Sequence, residues 1–147
     1  MNIGKKKIKK IIILLLLICN FCFAEDIENV ELLSVYDGDT FKVNIKDAKY
    51  ELFGKNIGVR VYGLDTPEIK GKTEREKQLA KQAKSLTEAI LKSGKIVLRN
   101  VKRDKYFRIL AQVYVIDETD SIEINLAQVL ISNKLARPYF GGKKESW

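Results

Sequence analysis

The chain has 147 residues and a formal net charge of +8, and its sequence contains no histidine. This length suits one compact domain, and the apolar and charged shares are those of a globular protein. Without histidine, the sequence excludes histidine general bases, Ser-His-Asp triads and zinc sites built on histidine. Any hydrolytic chemistry must therefore rest on carboxylates, arginines and a hard cation.

Residues 1–24 have the three parts of a secretory signal. Five lysines precede an apolar run that begins at Ile11, and Ala24 provides a small residue at the expected cleavage point. The run is shorter than the roughly 20 apolar residues that span a bilayer, which favours cleavage over a retained anchor. We expect a signal peptide over 1–24 and a mature domain over 25–147, exported to the periplasm or the medium without stable membrane association.

Loss of this segment changes the charge and the thiol content of the chain. The five lysines leave with it, so the net charge falls from +8 to +3. That balance permits a polyanionic partner without requiring one. Both cysteines, Cys19 and Cys22, also lie in the segment, so the mature domain is expected to fold without disulfides.

The mature sequence predicts five strands. They are marked by alternation of apolar and polar residues or by β-branched runs, and they cover residues 27–36, 40–45, 57–64, 96–98 and 109–116.

Two helices complete the predicted order of elements. Thr73 and Glu76 have capping-box spacing at the start of the first helix, and Gly94 is a natural stop. The second helix is predicted near residues 126–133. Five strands with a helix between the third and fourth is the order of an OB-fold barrel. We therefore predict an α+β fold, a five-stranded OB-fold-like barrel with two to three helices.

Three short segments carry acids and arginines: Asp37-Gly38-Asp39-Thr40, residues 60–68 and residues 104–108. Two carboxylates beside a glycine can coordinate a hard cation, which prefers oxygen ligands. Each segment alone also fits a solvated turn or the charged edge of a hairpin.

Together and in this order, the segments resemble those of the thermonuclease, or staphylococcal nuclease-like, family. The resemblance extends over about residues 30–140. It implies a calcium-dependent endonuclease that hydrolyses phosphodiester bonds of DNA and RNA. A monomer is expected.

The resemblance also implies which residues bind the cation. Asp39 and Asp65 correspond to carboxylate ligands of Ca²⁺, and Thr66 corresponds to a ligand through its backbone carbonyl. Asp37 corresponds to a supporting residue that does not bind the ion. As a solvated turn acid, Asp39 is expected to matter little for stability.

The family pattern assigns the chemistry to four further residues. Glu68 corresponds to the general base that acts on the attacking water. Arg60 and Arg108 correspond to the residues that bind the scissile phosphate and neutralise its growing charge. Tyr106 corresponds to a residue close to the bound nucleotide.

The sequence departs from the family pattern at three places. Phe107 stands where the family usually has a small or flexible residue, and the stretch between Val43 and Arg60 is longer than usual. Residues 141–147 follow the second helix closely, so we expect no third helix, and Trp147 is expected to pack as a small structural plug.

Two other functions remain open on the sequence. One is a non-catalytic OB-type module that binds nucleic acid or another polyanion. The other is a structural envelope protein that uses its acids only for calcium. The second leaves Arg60 and Arg108 without a role.

Overall fold

The computed structural model describes residues 26–49 and 51–147, so the predicted signal peptide lies outside the described residues. Within these ranges the strands and helices are β1 (Ile27–Val35), β2 (Thr40–Ile45), β3 (Ile57–Val61), β4 (Gly63–Asp65), α1 (Glu74–Leu91), β5 (Lys95–Arg103), β6 (Ile109–Ile116), β7 (Glu123–Asn125), α2 (Leu126–Ser132) and β8 (Arg137–Tyr139). A 3₁₀ turn at Glu51–Phe53 precedes β3.

Five of the strands form a closed barrel in the order β3-β2-β1-β5-β6. Parallel pairing of β3 with β6 closes it, with Val59 opposite Ile109 and Arg60 opposite Leu110. β7 extends the sheet beside β6, and β4 pairs with β8 in a separate two-stranded sheet. The predicted five-stranded OB-like barrel with two helices is confirmed.

The barrel interior is filled by the apolar side chains that the alternation predicts. Phe41 and Val43 of β2 and Val59 of β3 are fully buried. Each buried side chain of this size stabilises the fold by about 1.5–3 kcal/mol relative to exposure. Leu126 and Leu130 of α2 are also fully buried, so the second helix packs on the same core.

The predicted start of α1 is correct, but the predicted role of Gly94 at its end is wrong. Thr73 is the N-cap and accepts a hydrogen bond from the Glu76 N–H at 3.1 Å, while the Glu76 carboxylate accepts from the Lys72 N–H. The helix ends at Leu91. A Cβ at Gly94 would lie 2.3 Å from the Ile116 carbonyl oxygen, so this glycine permits close approach to β6. No helix among the described residues is long and apolar enough to cross a membrane.

The third predicted strand is divided in two. Gly63 has a φ of +89°, a left-handed conformation that only glycine adopts without strain. The chain turns here, and β4 leaves the barrel to pair with β8, which places Asp65 opposite Arg137. The division therefore brings Asp65 close to the C-terminal end of the domain.

Candidate active site

Asp39 lies in the turn between β1 and β2 and is buried, so the prediction that it is a solvated turn acid is wrong. Only 1% of the residue is exposed. Its Oδ2 accepts a hydrogen bond from the Thr66 N–H at 3.1 Å, and its Oδ1 accepts from the Thr40 hydroxyl at 2.9 Å and from the Arg60 guanidinium. Asp39 therefore joins the β1–β2 turn to β3 and to the segment after β4.

Helix α1 supports the same turn from behind. The Thr87 hydroxyl, itself fully buried, donates a 2.8 Å hydrogen bond to the Gly38 carbonyl. A Cβ at Gly38 would lie 2.7 Å from the Ala83 Cβ and 2.8 Å from the Thr66 Cγ2. Gly38 thus allows the turn to pack directly on the helix, which removes Asp39 from water.

Arg60 is held by two buried carboxylates. It lies on β3 opposite Thr40 of β2. One terminal nitrogen pairs with Asp39, and the other lies 3.6 Å from the Asp65 Oδ1. Its side chain is only 15% exposed, so both ion pairs lie largely out of solvent. The guanidinium is therefore fixed at the edge of the barrel.

Asp65 is almost fully buried and is surrounded by residues of the C-terminal end. The Trp147 indole N–H donates to its Oδ2 at 3.2 Å, and Arg137 lies 3.5 Å from the same oxygen. The Lys144 ammonium lies 2.6 Å from its Oδ1. Trp147 therefore does more than fill space, because it directly contacts a predicted cation ligand.

The C-terminal tail, defined here as residues 141–147, is fastened over Asp65 by Arg137. Its guanidinium donates to the carbonyl of Ser146 at 3.1 Å and to that of Glu145. The same group stacks on Trp147, with 4.3 Å between the guanidinium carbon and the ring centroid. These contacts hold the tail against the acidic side of the site.

Arg108 enters the site from the turn between β5 and β6, where Asp104 orients it. The Asp104 Oδ2 accepts from the Arg108 Nε at 2.7 Å, and Oδ1 accepts from the backbone N–H groups of Tyr106 and Arg108 at 2.7 and 3.0 Å. One terminal nitrogen of Arg108 lies 3.5 Å from the Thr40 hydroxyl. Thr40 therefore stands between the two arginines that the sequence predicts to act together.

Two positions next to the Arg108 side chain have unusual backbone requirements. A Cβ at Gly58 would lie 3.0 Å from the Arg108 Cγ, so Gly58 leaves room for the arginine stem. Phe107 has a φ of +63°, in the left-handed region that is unfavourable for a bulky side chain. The departure from the family pattern at Phe107 is thus a strained position within the turn that carries Arg108.

Arg60, Glu68, Tyr106 and Arg108 line one open cleft of about 810 Å³, together with Thr40 and Lys144. Glu68 is exposed, with its Oε1 3.7 Å from the Lys144 ammonium. Tyr106 is 65% exposed and lies 5.4 Å from the Arg108 guanidinium carbon. The predicted base, arginines and nucleotide-contacting residue therefore meet around a single space.

Three ionisable groups at this site have shifted pKa values. Burial and the neighbouring Asp39 carboxylate raise the pKa of Asp37 to about 7. Partial burial would raise the pKa of Asp104, but hydrogen bonds from Arg108 and Tyr106 outweigh it and lower the pKa. Burial would lower the pKa of Lys144, but its contact with Asp65 outweighs that effect and raises the pKa. The ionised forms of Asp104 and Lys144 are thus stabilised by their partners.

The predicted ligands Asp39, Asp65 and Thr66 fit a calcium ion in their chemistry. Within the described ranges, no group of three acidic, histidine or cysteine side chains converges to hold a metal. Calcium accepts carboxylates, backbone carbonyls and waters, however, so two acids and Thr66 are a suitable partial set. The buried Asp65 Oδ1 lies 2.6 Å from the Lys144 ammonium, so it already faces one cationic group and offers the negative charge that a calcium ion requires.

Four residues contact the site although the sequence analysis assigned them no role in it: Asp104, Arg137, Lys144 and Trp147. Asp104 had a usable sequence signal, because an acid four residues before Arg108 in a tight turn can pair with it. The other three lie in and beside the tail, where no periodic pattern indicates what they contact.

Comparison with known proteins relates the sequence of this chain to a family. The sequence model described as "Staphylococcal nuclease homologue" matches residues 58–146. One similar protein is Endonuclease YncB of Bacillus subtilis (strain 168), which is 37% identical over 90 residues. The aligned part covers 59% of this chain and 39% of that relative. This chain therefore spans well under half of the length of the relative.

Proposed function

Because the chain belongs to the staphylococcal nuclease homologue family, we propose that it is a calcium-dependent endonuclease that hydrolyses phosphodiester bonds of DNA and RNA. One observation carries the proposal. Arg60 and Arg108 face a common cleft on either side of Thr40, with Glu68 at the edge of that cleft. A site that only binds calcium has no use for two converging guanidiniums.

The arginines suit a phosphate whose charge increases during attack. A guanidinium offers donors in a fixed fork, so it can make paired hydrogen bonds to two phosphate oxygens. Arg60 is already held by Asp39, and Arg108 by Asp104, so little reorganisation is required when the charge develops. Both residues are proposed to bind the scissile phosphate and stabilise the transition state.

Glu68 is proposed to take the proton from the attacking water. A carboxylate is the available general base in a sequence without histidine. Its exposure at the cleft leaves it open to solvent and substrate. When bound by Asp39, Asp65 and the Thr66 carbonyl, calcium would supply positive charge beside the phosphate.

Aromatic and basic side chains around the cleft suit a nucleic-acid chain. Tyr106 and Tyr36 are exposed there, and Lys42 and Lys105 also line the cleft. Bases stack on aromatic rings irrespective of sequence, and lysines attract the phosphate backbone. Tyr106 is therefore proposed to contact the nucleotide next to the cleaved bond.

The decisive experiment is hydrolysis of labelled DNA and RNA oligonucleotides by the purified protein. Cleavage in calcium, its loss in excess chelator and its return on adding calcium are expected. Magnesium is expected to substitute poorly, because it demands tighter octahedral geometry. Full activity in excess chelator would exclude the cation requirement.

Glu68→Gln tests the base with little change in shape. We expect kcat to fall about 10²–10⁴-fold, the usual loss for a general base. Affinity for a non-cleavable oligonucleotide is expected to stay within about tenfold of the parent. Glu118→Gln, at an exposed acid in the β6–β7 loop, is the charge-matched control and should retain full activity.

The non-catalytic binding module predicts a different result. It binds oligonucleotides without cleaving them under any cation condition. Exposed aromatics and lysines suit that function as well, so binding alone does not separate the two. Hydrolysis that is lost in Glu68→Gln and kept in Glu118→Gln excludes the binding module.

We also propose that the protein is exported to the periplasm or the medium and cleaved between Ala24 and Glu25. The mature protein is proposed to be a monomer. The lysine-rich start and short apolar run support export and cleavage. The intact mass of the exported protein tests the cleavage point. A full-length chain retained in membranes contradicts it.

A further inference from the structure

We propose that Lys144 is a built-in competitor for the cation, so that the C-terminal tail sets the calcium concentration at which the site fills. This inference rests on the proposed cation site at Asp65. The Lys144 ammonium occupies the position beside Asp65 and Glu68 until calcium displaces it.

The position of the ammonium supports competition. It lies 2.6 Å from the Asp65 Oδ1 and 3.7 Å from the Glu68 Oε1. The Asp65 side chain is 3% exposed, whereas that of Lys144 is 42% exposed. The carboxylate is therefore fixed within the fold, while the lysine reaches it from the open side and can withdraw into solvent.

The tail is built to keep the lysine in reach. Arg137 binds the carbonyls of Glu145 and Ser146, and Trp147 donates to the second oxygen of Asp65. The residues that follow Lys144 are therefore bound next to Asp65, the same residue that the Lys144 ammonium contacts. This tethering raises the effective concentration of the ammonium at Asp65 far above that of a free amine.

A calcium ion and the Lys144 ammonium would repel each other strongly if both contacted this oxygen, so binding of the ion favours withdrawal of the lysine. Calcium carries twice the charge of the ammonium, so it can replace the lysine at sufficient concentration. The free energy needed to displace Lys144 makes the free energy of calcium binding less favourable. Removal of the ammonium should therefore tighten calcium binding.

Lys144→Gln and Lys143→Gln form a matched pair for the test. Both remove one positive charge from adjacent positions in the tail, but the contact to Asp65 belongs to Lys144. Calcium affinity is measured by calorimetry on the full protein without nucleic acid. Trp147 is the single tryptophan of the sequence, so its fluorescence reports directly on the tail during the titration.

We expect the calcium Kd of Lys144→Gln to be about tenfold lower than that of Lys143→Gln, which corresponds to about 1.4 kcal/mol. The fluorescence midpoint should move by the same factor. In chelator, Lys144→Gln should also unfold at a lower temperature than Lys143→Gln, and calcium should raise its Tm by more.

Equal affinities in the two variants would overturn the proposal, because only net charge would then matter. Weaker calcium binding in Lys144→Gln, or no calcium binding by either variant or the parent, would overturn it as well. These readouts do not depend on catalysis. If calcium competes with Lys144 as expected but no substrate is cleaved, the proposed nuclease function fails and this inference stands.

Discussion

Arg60 and Arg108 face the same cleft, but the fold holds them in different ways. Arg60 lies on a barrel strand, and its guanidinium pairs with the buried carboxylates of Asp39 and Asp65. Arg108 follows a turn, and Asp104 from the same turn orients it. The side chain of Arg60 is 15% exposed and that of Arg108 is 29% exposed.

This difference in burial predicts that Arg60 contributes to the stability of the fold, whereas Arg108 contributes mainly to catalysis. A charge that compensates buried acids is part of the folded structure, so its loss leaves those acids without a partner. A charge on a partly exposed turn contributes less to folding, and its removal affects mainly what it binds. The two arginines should therefore have similar effects on catalysis and different effects on unfolding.

Replacement of Arg60 should have the largest effect. Arg60→Ala is expected to lower the free energy of unfolding in chelator by about 3–5 kcal/mol, because it leaves the buried Asp39 without its cationic partner. Denaturant unfolding measures this loss. Arg60→Lys is the control, since it keeps the charge but loses the fork. An Arg60→Ala protein as stable as the parent would show that Asp39 is protonated or hydrated in the fold.

Arg108→Ala should impair catalysis and spare the fold. We expect kcat to fall about 10²–10³-fold, in line with loss of one group that stabilises transition-state charge. The free energy of unfolding should change by less than in Arg60→Ala, by about 1 kcal/mol, because the Arg108–Asp104 pair is partly exposed. Steady-state hydrolysis and denaturant unfolding of the same sample test both parts. A stability loss as large as that of Arg60→Ala would erase the proposed distinction.

Asp104→Asn should have an intermediate effect. It weakens the orientation of Arg108, so we expect kcat to fall about tenfold, well short of the loss in Arg108→Ala. The pKa of Asp104 is lowered in the fold, so its stabilising contribution is present above its ordinary value of 3.8 and is lost as the pH falls through the lowered value. Unfolding at a series of pH values should show the parent more stable at neutral pH and equal to the variant in strong acid. A difference that grows in acid would contradict this assignment.

Phe107→Gly should have the smallest effect. The left-handed backbone of Phe107 costs about 1–2 kcal/mol for a residue with a side chain, and glycine removes most of that strain. Added flexibility in the unfolded chain offsets part of the gain. Net stabilisation of about 1 kcal/mol or less is expected in thermal unfolding. A destabilised variant would show that the Phe107 ring, 5.5 Å from the Arg103 guanidinium, outweighs the strain.

The barrel was predictable because its strands carry strong local signals. β2 and β6 match their predicted bounds at 40–45 and 109–116, where alternation is regular. The predicted third strand, 57–64, is interrupted after Val61, because the turn at Gly63 directs its second part, β4, to pair with β8. Strands of three residues have no periodicity to detect.

The burial of Asp39 and the position of the tail could not be predicted for a related reason. An Asp-Gly-Asp turn is normally solvated, and its burial here depends on the fit of Gly38 against Ala83 of a helix distant in sequence. Lys144 reaches Asp65 only because β4 and β8 pair. Tertiary contacts determine both features, and the sequence pattern does not indicate these contacts.

The parallel seam between β3 and β6 also has a consequence for folding. Arg60 pairs with Leu110 across this seam, and Arg108 immediately precedes β6. The two strands are far apart in sequence, so their pairing requires closure of a long loop and forms slowly compared with a local hairpin. The arginines cannot meet until the seam forms. A refolding chain therefore cannot become catalytically active before the barrel closes. The time course of recovered activity gives an upper limit for the time of barrel closure.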